Sequence, residues 1–563
     1  MRKNIFFLIF GTIVLIGFLL RVVYLDRYPP AVSWDEVSHG YNAYSILKTG
    51  ADEWGKSFPI FNFRAYGDYP LPLNLYITIP SITLFGLNEF SIRLPHAILG
   101  VLTVIATYFL GMGVSKRKSL SLLAAFLVAV EPWTFFTSRI VLQQNLSVFL
   151  LTAAMAAFFN RQKNRYLLPV SFLFLFLTLF SYHSTRIFSP LILAAAIVVY
   201  RGEFWGAFKK GGYKSFLTIS AVTAFFVLTG LIILDPGARA RAQWLFIINQ
   251  GAVNKIVEDR QNSTLPPTLS RLIYNRPVYF VSRFSQNYFG YLSPRFLFLK
   301  GGTQYQYSLP SRGLSYLINL PFFYLGILIL LKKALKGSKD NLFLLAWLAL
   351  APVPGSITSE VYAVTRASVM LPLPQLLSAL GAFFVFDYLN KKFKDRFKIA
   401  MTAFYLLAIY LFAENYLTDY FTDYTIKYSS SWQYGYKQVV EYAKDNYAKY
   451  DRIIVSKKYG EPHEFFLFFW PWDPAKYKND PNLIRFEQSG WFWVDRFDKF
   501  YFVNDWDIPK EGETFVLESK GKVDCDSRCL LVTSPGNYPR GWKRLKTINF
   551  LNGSPTFEFY SNM

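Results

Sequence analysis

Long apolar segments alternate with short charged loops over the first three quarters of the chain. Most of these segments approach the roughly 20 apolar residues that a helix needs to cross a bilayer. The pattern predicts eleven spans, at about 4–24, 94–114, 119–137, 141–159, 166–182, 187–200, 215–234, 314–331, 341–358, 368–387 and 398–413. We therefore predict a mainly α-helical polytopic membrane protein.

The charged loops predict an orientation for these spans. Alternate loops are dense in Lys and Arg, as at 116–118, 332–339 and 391–398, and Arg2 and Lys3 add the same charge at the start of the chain. Basic loops stay in the cytoplasm, so the N-terminus is expected there. Because the number of spans is odd, residues 414–563 are expected outside the plasma membrane.

The outer face receives two long loops and the C-terminal region. The loops cover 25–93 and 235–313 and belong to a transmembrane domain over 1–413. Residues 414–563 lack long apolar runs and predict a soluble α/β domain, with a helix over 430–447 and strands near 452–456, 500–504, 514–519, 529–533 and 545–550. Its two cysteines, Cys525 and Cys529, are expected to form a local disulfide outside the membrane.

The composition and the absence of certain motifs exclude some classes of function. The chain has 563 residues, 52% of them hydrophobic, and a net charge of +23. Nucleic acid binding is excluded because the cations cluster between apolar spans rather than along one surface. No glycine loop that cradles phosphate and no Ser-His-Asp pattern is present, so the candidate chemistry lies in the outer loops.

The first outer loop opens with an acidic pair, Asp35 and Glu36, inside the stretch Ser33–His39. A carboxylate there can act as a general base, but it can also cap a short helix. On these residues alone, helix capping is the simpler interpretation.

Arginines recur at the outer ends of the predicted spans. They are Arg93, Arg139, Arg186 and Arg366. Arg139, Arg186 and Arg366 each lie in a short outer turn that contains no lysine. Topology does not require them, and the planar guanidinium suits phosphate oxygens. The alternative is an arginine that only extends its charge to the membrane edge.

The transmembrane part resembles the type C glycosyltransferases of the protein O-mannosyltransferase and aminoarabinose transferase group. The resemblance covers about residues 1–413 and depends on the order of several motifs on one side of the membrane. The motifs are Trp34-Asp35-Glu36, Ser91–Pro95, Ser138-Arg139, Tyr182–Arg186, Phe296–Gly302 with Gly313, and Tyr362–Arg366 leading into Leu371-Pro372.

The resemblance implies an inverting transfer of a hexose or pentose from a polyprenyl phosphate donor on the outer face. Asp35 would be the base for the acceptor hydroxyl, and Glu36 would orient the acceptor or Asp35. The donor phosphate would be bound by residues of the remaining motifs: Arg93, Arg139, Tyr182, His183, Arg186 and Arg366. The expected partners are a protein, lipid or glycan acceptor and membrane lipid, with no nucleic acid.

Two stretches depart from the group's pattern. Many relatives carry an acidic residue shortly after the Ser-Arg motif, and some bind a divalent metal there, whereas this chain has Gln143-Gln144-Asn145. A metal is therefore in doubt, and no cofactor is certain. The aminoarabinose transferases have a lysine before the proline pair of the first loop, where this chain has Asp68 and Tyr69.

Two rival functions stay open. A polytopic lipid or glycan transporter or flippase would need no transferase chemistry, but transporters commonly show repeated halves and charges within spans. We find no repeat, and the charges lie at membrane edges and in outer loops. A ligase that moves whole glycans would keep the enzyme class and change the donor.

Overall fold

The computed structural model describes residues 3–209, 212–235, 243–392 and 395–563, so Arg2 lies outside the described residues. The chain forms two compact units. Unit 1 comprises residues 1–23, 97–138 and 142–417, and unit 2 comprises residues 24–96, 139–141 and 418–563. The predicted outer loop 25–93 thus lies in the same unit as the C-terminal region, and the predicted domain boundary at residue 413 stays a prediction.

Helices account for most of the chain up to residue 419. In chain order they are α1 Lys3–Val22, α2 Trp34–Thr49, α3 Leu73–Phe85, α4 Glu89–Ser115, α5 Lys118–Val130, α6 Pro132–Ser138, α7 Gln143–Phe159, α8 Leu167–Thr178, α9 His183–Val199, α10 Arg201–Lys209, α11 Tyr213–Leu234, α12 Gln250–Gln261, α13 Pro267–Ile273, α14 Arg276–Tyr291, α15 Leu320–Leu335, α16 Lys339–Leu350, α17 Val353–Ser356, α18 Leu373–Lys392 and α19 Asp395–Asp419. Short 3-10 or π turns cover Arg295–Lys300, Leu317–Asn319 and Arg366–Met370.

Five of the described helical segments are long and apolar enough to cross a membrane. They are Lys3–Val22, Glu89–Ser115, Phe216–Leu234, Leu317–Leu335 and Ile399–Lys427, and the bent pair α5 and α6 makes a sixth if it is one broken span. The chain is thus a multi-pass membrane protein. The predicted count of eleven is not confirmed, because apolar helices of 10–17 residues, such as α7, α8 and α9, occupy other predicted positions. At 1.5 Å per residue, 17 residues reach only about 26 Å.

A buried carboxylate holds the break between α5 and α6 in unit 1. Glu131 is fully buried and accepts hydrogen bonds from Ser315 Oγ at 2.9 Å, Asn319 Nδ2 at 2.5 Å and Gln375 Nε2 at 2.7 Å. A buried charge needs such partners to be tolerated. The network ties the bend to α18 and to the turn that precedes α15.

A seven-stranded mixed sheet forms the centre of unit 2. The strands are β1 Arg452–Ser456, β2 Ile484–Gln488, β3 Trp491–Phe497, β4 Phe500–Val503, β5 Thr514–Val516, β6 Lys522–Asp524, β7 Cys529–Thr533, β8 Lys543–Asn549 and β9 Pro555–Ser561. Their order in the large sheet is β2-β3-β4-β1-β7-β9-β8, with β1 parallel to both β4 and β7, while β5 and β6 form a separate pair.

Short helices surround this sheet and join the first loop to it. They are α20 Thr425–Lys427, α21 Tyr436–Asp445, α22 Pro462–Phe469 and α23 Pro474–Lys478, with shorter turns at Tyr420–Tyr424, Ser429–Trp432, Tyr447–Lys449 and Asp505–Asp507. One hydrophobic core contains Val37 and Tyr41 of α2, Phe466 of α22 and Ile453 of β1. The predicted α/β domain is confirmed, and so is the Cys525–Cys529 disulfide. The sequence missed β2, β3, β6 and β9.

Candidate functional site

Helix α2 begins at the acidic motif and is fixed by its own first residues. Ser33 is the N-cap: its side chain accepts a hydrogen bond from the Glu36 backbone N–H, and the Glu36 carboxylate accepts one from the Ser33 N–H at 3.1 Å. This reciprocal pair is a capping box, which satisfies two N–H groups that have no partner inside a helix. The capping interpretation is therefore confirmed for Glu36.

The Glu36 carboxylate has every acceptor position occupied. Arg93 donates to Oε1 from Nε and to Oε2 from Nη2, both at 2.9 Å, and the Val141 backbone N–H donates to Oε1 at 3.1 Å. With the Ser33 N–H, four donors converge on one carboxylate whose side chain is 2% exposed. Glu36 thereby joins α2, α4 and the segment 139–141.

Arg93 likewise has all of its donors in use. Besides the two bonds to Glu36, Nη1 donates to the carbonyl oxygens of Leu25 and Pro29, both at 3.1 Å, and Nη2 donates to that of Ala31. A guanidinium has five N–H groups, and these five bonds use them all. In this arrangement Arg93 offers no N–H to a phosphate and instead holds the chain from Leu25 to Ala31.

Asp35 differs sharply from its neighbour. Its side chain is exposed, whereas Glu36 is buried. Adjacent carboxylates in such unlike environments can take different roles, one structural and one chemical. Unit 2 thus presents one exposed carboxylate on a helix end whose backbone is held from several sides.

Arg139 is the second predicted arginine in unit 2. It is fully buried, and Nη2 donates to the carbonyl oxygens of Tyr24 at 3.2 Å and Tyr28 at 3.1 Å. Nε donates to the Tyr420 hydroxyl at 3.3 Å, and the guanidinium lies 5.5 Å from the centre of the Phe421 ring. Arg93 and Arg139 therefore bind neighbouring carbonyl groups along the segment that leads from Tyr24 to α2.

Unit 1 contains the other predicted residues. Tyr182 is the N-cap residue of α9 and is buried, and His183, the first residue of α9, is half-buried. Arg186, one turn further, is 5% exposed and donates from Nε to the Leu179 carbonyl at 3.0 Å. The motif thus lies at the start of one helix, with two large polar side chains directed into the unit.

Arg366 forms an ion pair near this helix end. Its Nη1 lies 2.7 Å from Glu360 Oε2 and donates to Thr358 Oγ1 at 3.0 Å. The turn Arg366–Met370, which begins at this arginine, packs against α9. The side chains of Arg366 and Glu360 are 12% and 24% exposed, so the ion pair is partly accessible to solvent.

The glycine motif packs against the segment that precedes Arg366. A Cβ on Gly302 would collide with Val364, and one on Gly313 would collide with the backbone of Phe298. The Phe296 ring stacks on Tyr362 with centroids 5.7 Å apart. Gly302 therefore permits close packing of two predicted motifs within unit 1, and Gly313 permits close packing within one of them.

The structure brings the predicted residues together in two groups. Asp35, Glu36, Arg93 and Arg139 lie in unit 2, and Tyr182, His183, Arg186 and Arg366 lie in unit 1. The prediction that all of them line one cavity stays a prediction. The sequence missed Gln433 and Tyr66, which bind the backbone at Trp34, because nothing in the sequence pairs positions up to 399 residues apart.

Buried acids behind α2 are a further feature that the sequence did not indicate. Glu53 and Glu464 are each about 1% exposed and face one another, near Ser38, Tyr41, Tyr477 and Arg485. Burial raises the pKa of both carboxyl groups, and their mutual repulsion raises that of Glu464 further. Burial also raises the pKa of Glu461 to about 7 and lowers that of the adjacent His463.

The described ranges contain no cluster of side chains suited to a metal ion. In that part of the chain no group of three or more His, Cys, Asp or Glu side chains is arranged to bind an ion. Gln144 and Asn145, where relatives place an acidic residue, are buried side chains of α7. The described residues therefore give a divalent cation no acidic cluster at this position.

This chain matches one family model over part of its length and is similar in fold to solved structures. Residues 11–238 match the family model described as dolichyl-phosphate-mannose-protein mannosyltransferase. No curated protein sequence matches the chain. The matched region includes Asp35, Glu36, Arg93, Arg139 and Arg186 and ends before Arg366.

Three solved structures are similar to this chain. The Archaeoglobus fulgidus oligosaccharyltransferase tethered to an acceptor peptide has a TM-score of 0.50 and 17% identity, over 83% of this chain and 63% of that one. Cupriavidus metallidurans ArnT bound to undecaprenyl phosphate has a TM-score of 0.49 and 11% identity, over 100% and 99%. The Saccharomyces cerevisiae Pmt1-Pmt2 complex bound to its sugar donor has a TM-score of 0.32 and 18% identity, over 47% and 38%. The chain thus spans less than two thirds of the archaeal enzyme.

Proposed function

We propose that this chain, which has the fold of the type C glycosyltransferases, transfers a sugar from a polyprenyl phosphate to an acceptor on the outer face of the membrane. The observation that carries the proposal is the contrast at the start of α2. Asp35 is exposed, while Glu36 is buried under four hydrogen bonds. The family model for mannosyltransferases, which covers this helix, supports the assignment.

In the proposed reaction Asp35 is the general base. It takes the proton of the acceptor hydroxyl while the acceptor oxygen attacks the anomeric carbon of the donor sugar. The bond from that carbon to the phosphate oxygen breaks, and the polyprenyl phosphate leaves with the bond's electrons. Attack from the side opposite the leaving phosphate would invert the configuration of the sugar.

Negative charge grows on the leaving phosphate, so a fixed cation aimed at it lowers the barrier. We assign this role to Arg186 and Arg366, and to Arg139 when its hydrogen bonds to Tyr420, Tyr24 and Tyr28 give way to the phosphate. We assign Arg93 and Glu36 a positioning role in place of phosphate binding and acceptor orientation, because their bonding capacity is used within unit 2. We further propose a plasma-membrane location with a cytoplasmic N-terminus and unit 2 outside.

The test measures sugar transfer by the full-length protein in proteoliposomes. The donors are polyprenyl phosphates that carry mannose or aminoarabinose, with a separate arm for a lipid-linked oligosaccharide. Replacing the base, Asp35→Asn, should lower turnover on the order of a hundredfold to ten-thousandfold. The control is Asp26→Asn, which changes an exposed carboxylate whose side chain is 55% exposed in the same loop.

The outcomes separate the candidates. Loss of transfer in Asp35→Asn with normal turnover in Asp26→Asn supports the proposal. Normal transfer by Asp35→Asn would show that another group is the base. If the wild-type protein moves the lipid across the bilayer and forms no product with any of the three donors, the transporter hypothesis replaces the enzyme. Transfer from the oligosaccharide arm alone would identify a ligase of whole glycans.

A further inference from the structure

The backbone at Asp35 is held by the C-terminal part of unit 2. The Trp34 N–H is one of the first N–H groups of α2 and has no acceptor within the helix. It donates instead to the side-chain oxygen Oε1 of Gln433 at 3.0 Å, across 399 residues of sequence. On the other side of the same residue, the Trp34 carbonyl accepts a hydrogen bond from the Tyr66 hydroxyl at 2.7 Å.

Gln433 is itself fixed in one orientation. Its amide nitrogen Nε2 donates to the Tyr459 carbonyl at 3.2 Å, so the oxygen end of the amide is directed at Trp34. The residue is 8% exposed and has a left-handed backbone conformation, with φ of 53°, at the end of the turn Ser429–Trp432. Few non-glycine residues adopt this conformation, which places the side chain where an ordinary helical turn would not.

A turn after β1, at Tyr459 and Gly460, contacts the ring of Trp34. A Cβ on Gly460 would collide with this ring, and the backbone there has φ of +114°. The ring therefore lies directly on the peptide backbone of the segment that contains Tyr459 and Gly460. Both the peptide groups and the side chain of Trp34 are positioned by residues outside α2.

We propose that Gln433 is a positioning residue for Asp35, and that the C-terminal region thereby forms part of the catalytic machinery. The inference rests on the proposed function of Asp35 as base. Displacing a reacting group by about 1 Å can cost on the order of a hundredfold in rate. Gln433 fixes the peptide between Ser33 and Trp34, one residue before Asp35, and therefore controls the rate without touching the substrate.

The test compares Gln433→Ala with Gln438→Ala in the full-length protein. Gln438 lies on α21 and is half-buried. Among the described residues, its side chain forms no hydrogen bond. Gln433→Ala should lower kcat about tenfold to a hundredfold, while the donor KM stays within about twofold. Hydrogen exchange at the Trp34 amide should rise about two- to twelvefold, which is the effect of losing one hydrogen bond. Gln438→Ala should change neither quantity.

A conservative variant keeps the inference testable if Gln433→Ala folds poorly. Gln433→Glu retains an acceptor for the Trp34 N–H and loses the donor to Tyr459, so it should recover exchange protection and most of kcat. A merely structural role would lower the amount of folded protein and leave kcat per folded molecule unchanged.

The same data distinguish this inference from the proposed function. If Asp35→Asn is inactive while Gln433→Ala keeps wild-type kcat, the positioning role is wrong and the base assignment stands. If Asp35→Asn retains its turnover, both assignments are wrong. Unchanged exchange at Trp34 in Gln433→Ala would also overturn the inference, because the bond would then hold nothing in place.

Discussion

Breaking the buried pair between Glu36 and Arg93 should loosen the start of α2. Both side chains are at most 2% exposed and share two bonds of 2.9 Å. In Arg93→Met the Glu36 carboxylate keeps only backbone donors, and the carbonyls of Leu25, Pro29 and Ala31 lose theirs. Leaving one charge of a buried pair without its partner costs about 3–5 kcal/mol.

The natural control is Arg27→Met, which removes an exposed arginine from the same loop. Arg27 lies 3.8 Å from Asp26, and its side chain is 71% exposed. Surface pairs of this kind contribute about 0–1 kcal/mol. The two substitutions therefore share their chemistry and differ in the burial of the side chain.

The assay is pulse proteolysis of the purified protein across a denaturant series, with fragments of unit 2 followed by mass spectrometry. Arg93→Met and Glu36→Gln should each shift the midpoint strongly, and the double variant should lose less than the sum of the two. Equal effects of Arg93→Met and Arg27→Met, or strict additivity of the two buried substitutions, would refute the reasoning.

Three further predictions follow from the buried acids, the unit 1 ion pair and the proposed topology. Burial and the neighbouring Glu53 raise the pKa of Glu464 well above 4.5 in the folded protein. Unit 2 should therefore lose stability as the pH rises from about 4.5 toward the raised pKa of Glu464, so Glu464→Gln should flatten this dependence and melt at a higher temperature than wild type at pH 8. A melting curve for Glu464→Gln that follows the wild-type pH dependence would contradict this. Arg366→Gln should lower kcat/KM for the donor about tenfold to a hundredfold, with partial recovery in Arg366→Lys, and unchanged kinetics would exclude phosphate binding by Arg366. Reporter fusions after residues 118 and 430 should lie in opposite compartments, and signals from the same side would show that the proposed orientation is wrong.

Local signals in the sequence were sufficient for several features of unit 2. The spacing of Ser33 and Glu36 is that of a capping box, and the structure contains one. Strands β1 and β7 lie where their β-branched residues predicted them. The hairpin of β2 and β3 was missed, although its two-residue turn, Ser489-Gly490, is a recognised hairpin signal and both residues have positive φ.

Features that depend on distant contacts could not be predicted. Arg93 and Glu36 are 57 residues apart, and Gln433 is 399 residues from Trp34, so no local pattern links them. The sequence associated Arg93 with the acidic motif, and the structure pairs Arg93 with Glu36, while its predicted phosphate binding is untested. The sequence could not show that every N–H group of Arg93 donates to an acceptor within the protein. That depends on how the chain from Leu25 to Ala31 folds around this side chain.

Hydropathy located the apolar helices better than it counted the spans. A hydropathy pattern does not reveal where a helix breaks. An example is Glu131, between α5 and α6, where the two helices are bent by 52°. Nor can the pattern show that α7, α8 and α9 end after 12–17 residues. The count of membrane crossings therefore depends on helix lengths that tertiary contacts decide.

A structure of the protein with a non-hydrolysable polyprenyl phosphate sugar and its acceptor would test the central claim most directly. The account predicts the acceptor hydroxyl within about 2.6–3.2 Å of the Asp35 carboxylate, and the donor phosphate bound by at least two of Arg139, Arg186 and Arg366. A phosphate bound on a surface remote from Asp35, with Arg366 still paired to Glu360 and Arg139 still on its carbonyls, would contradict it.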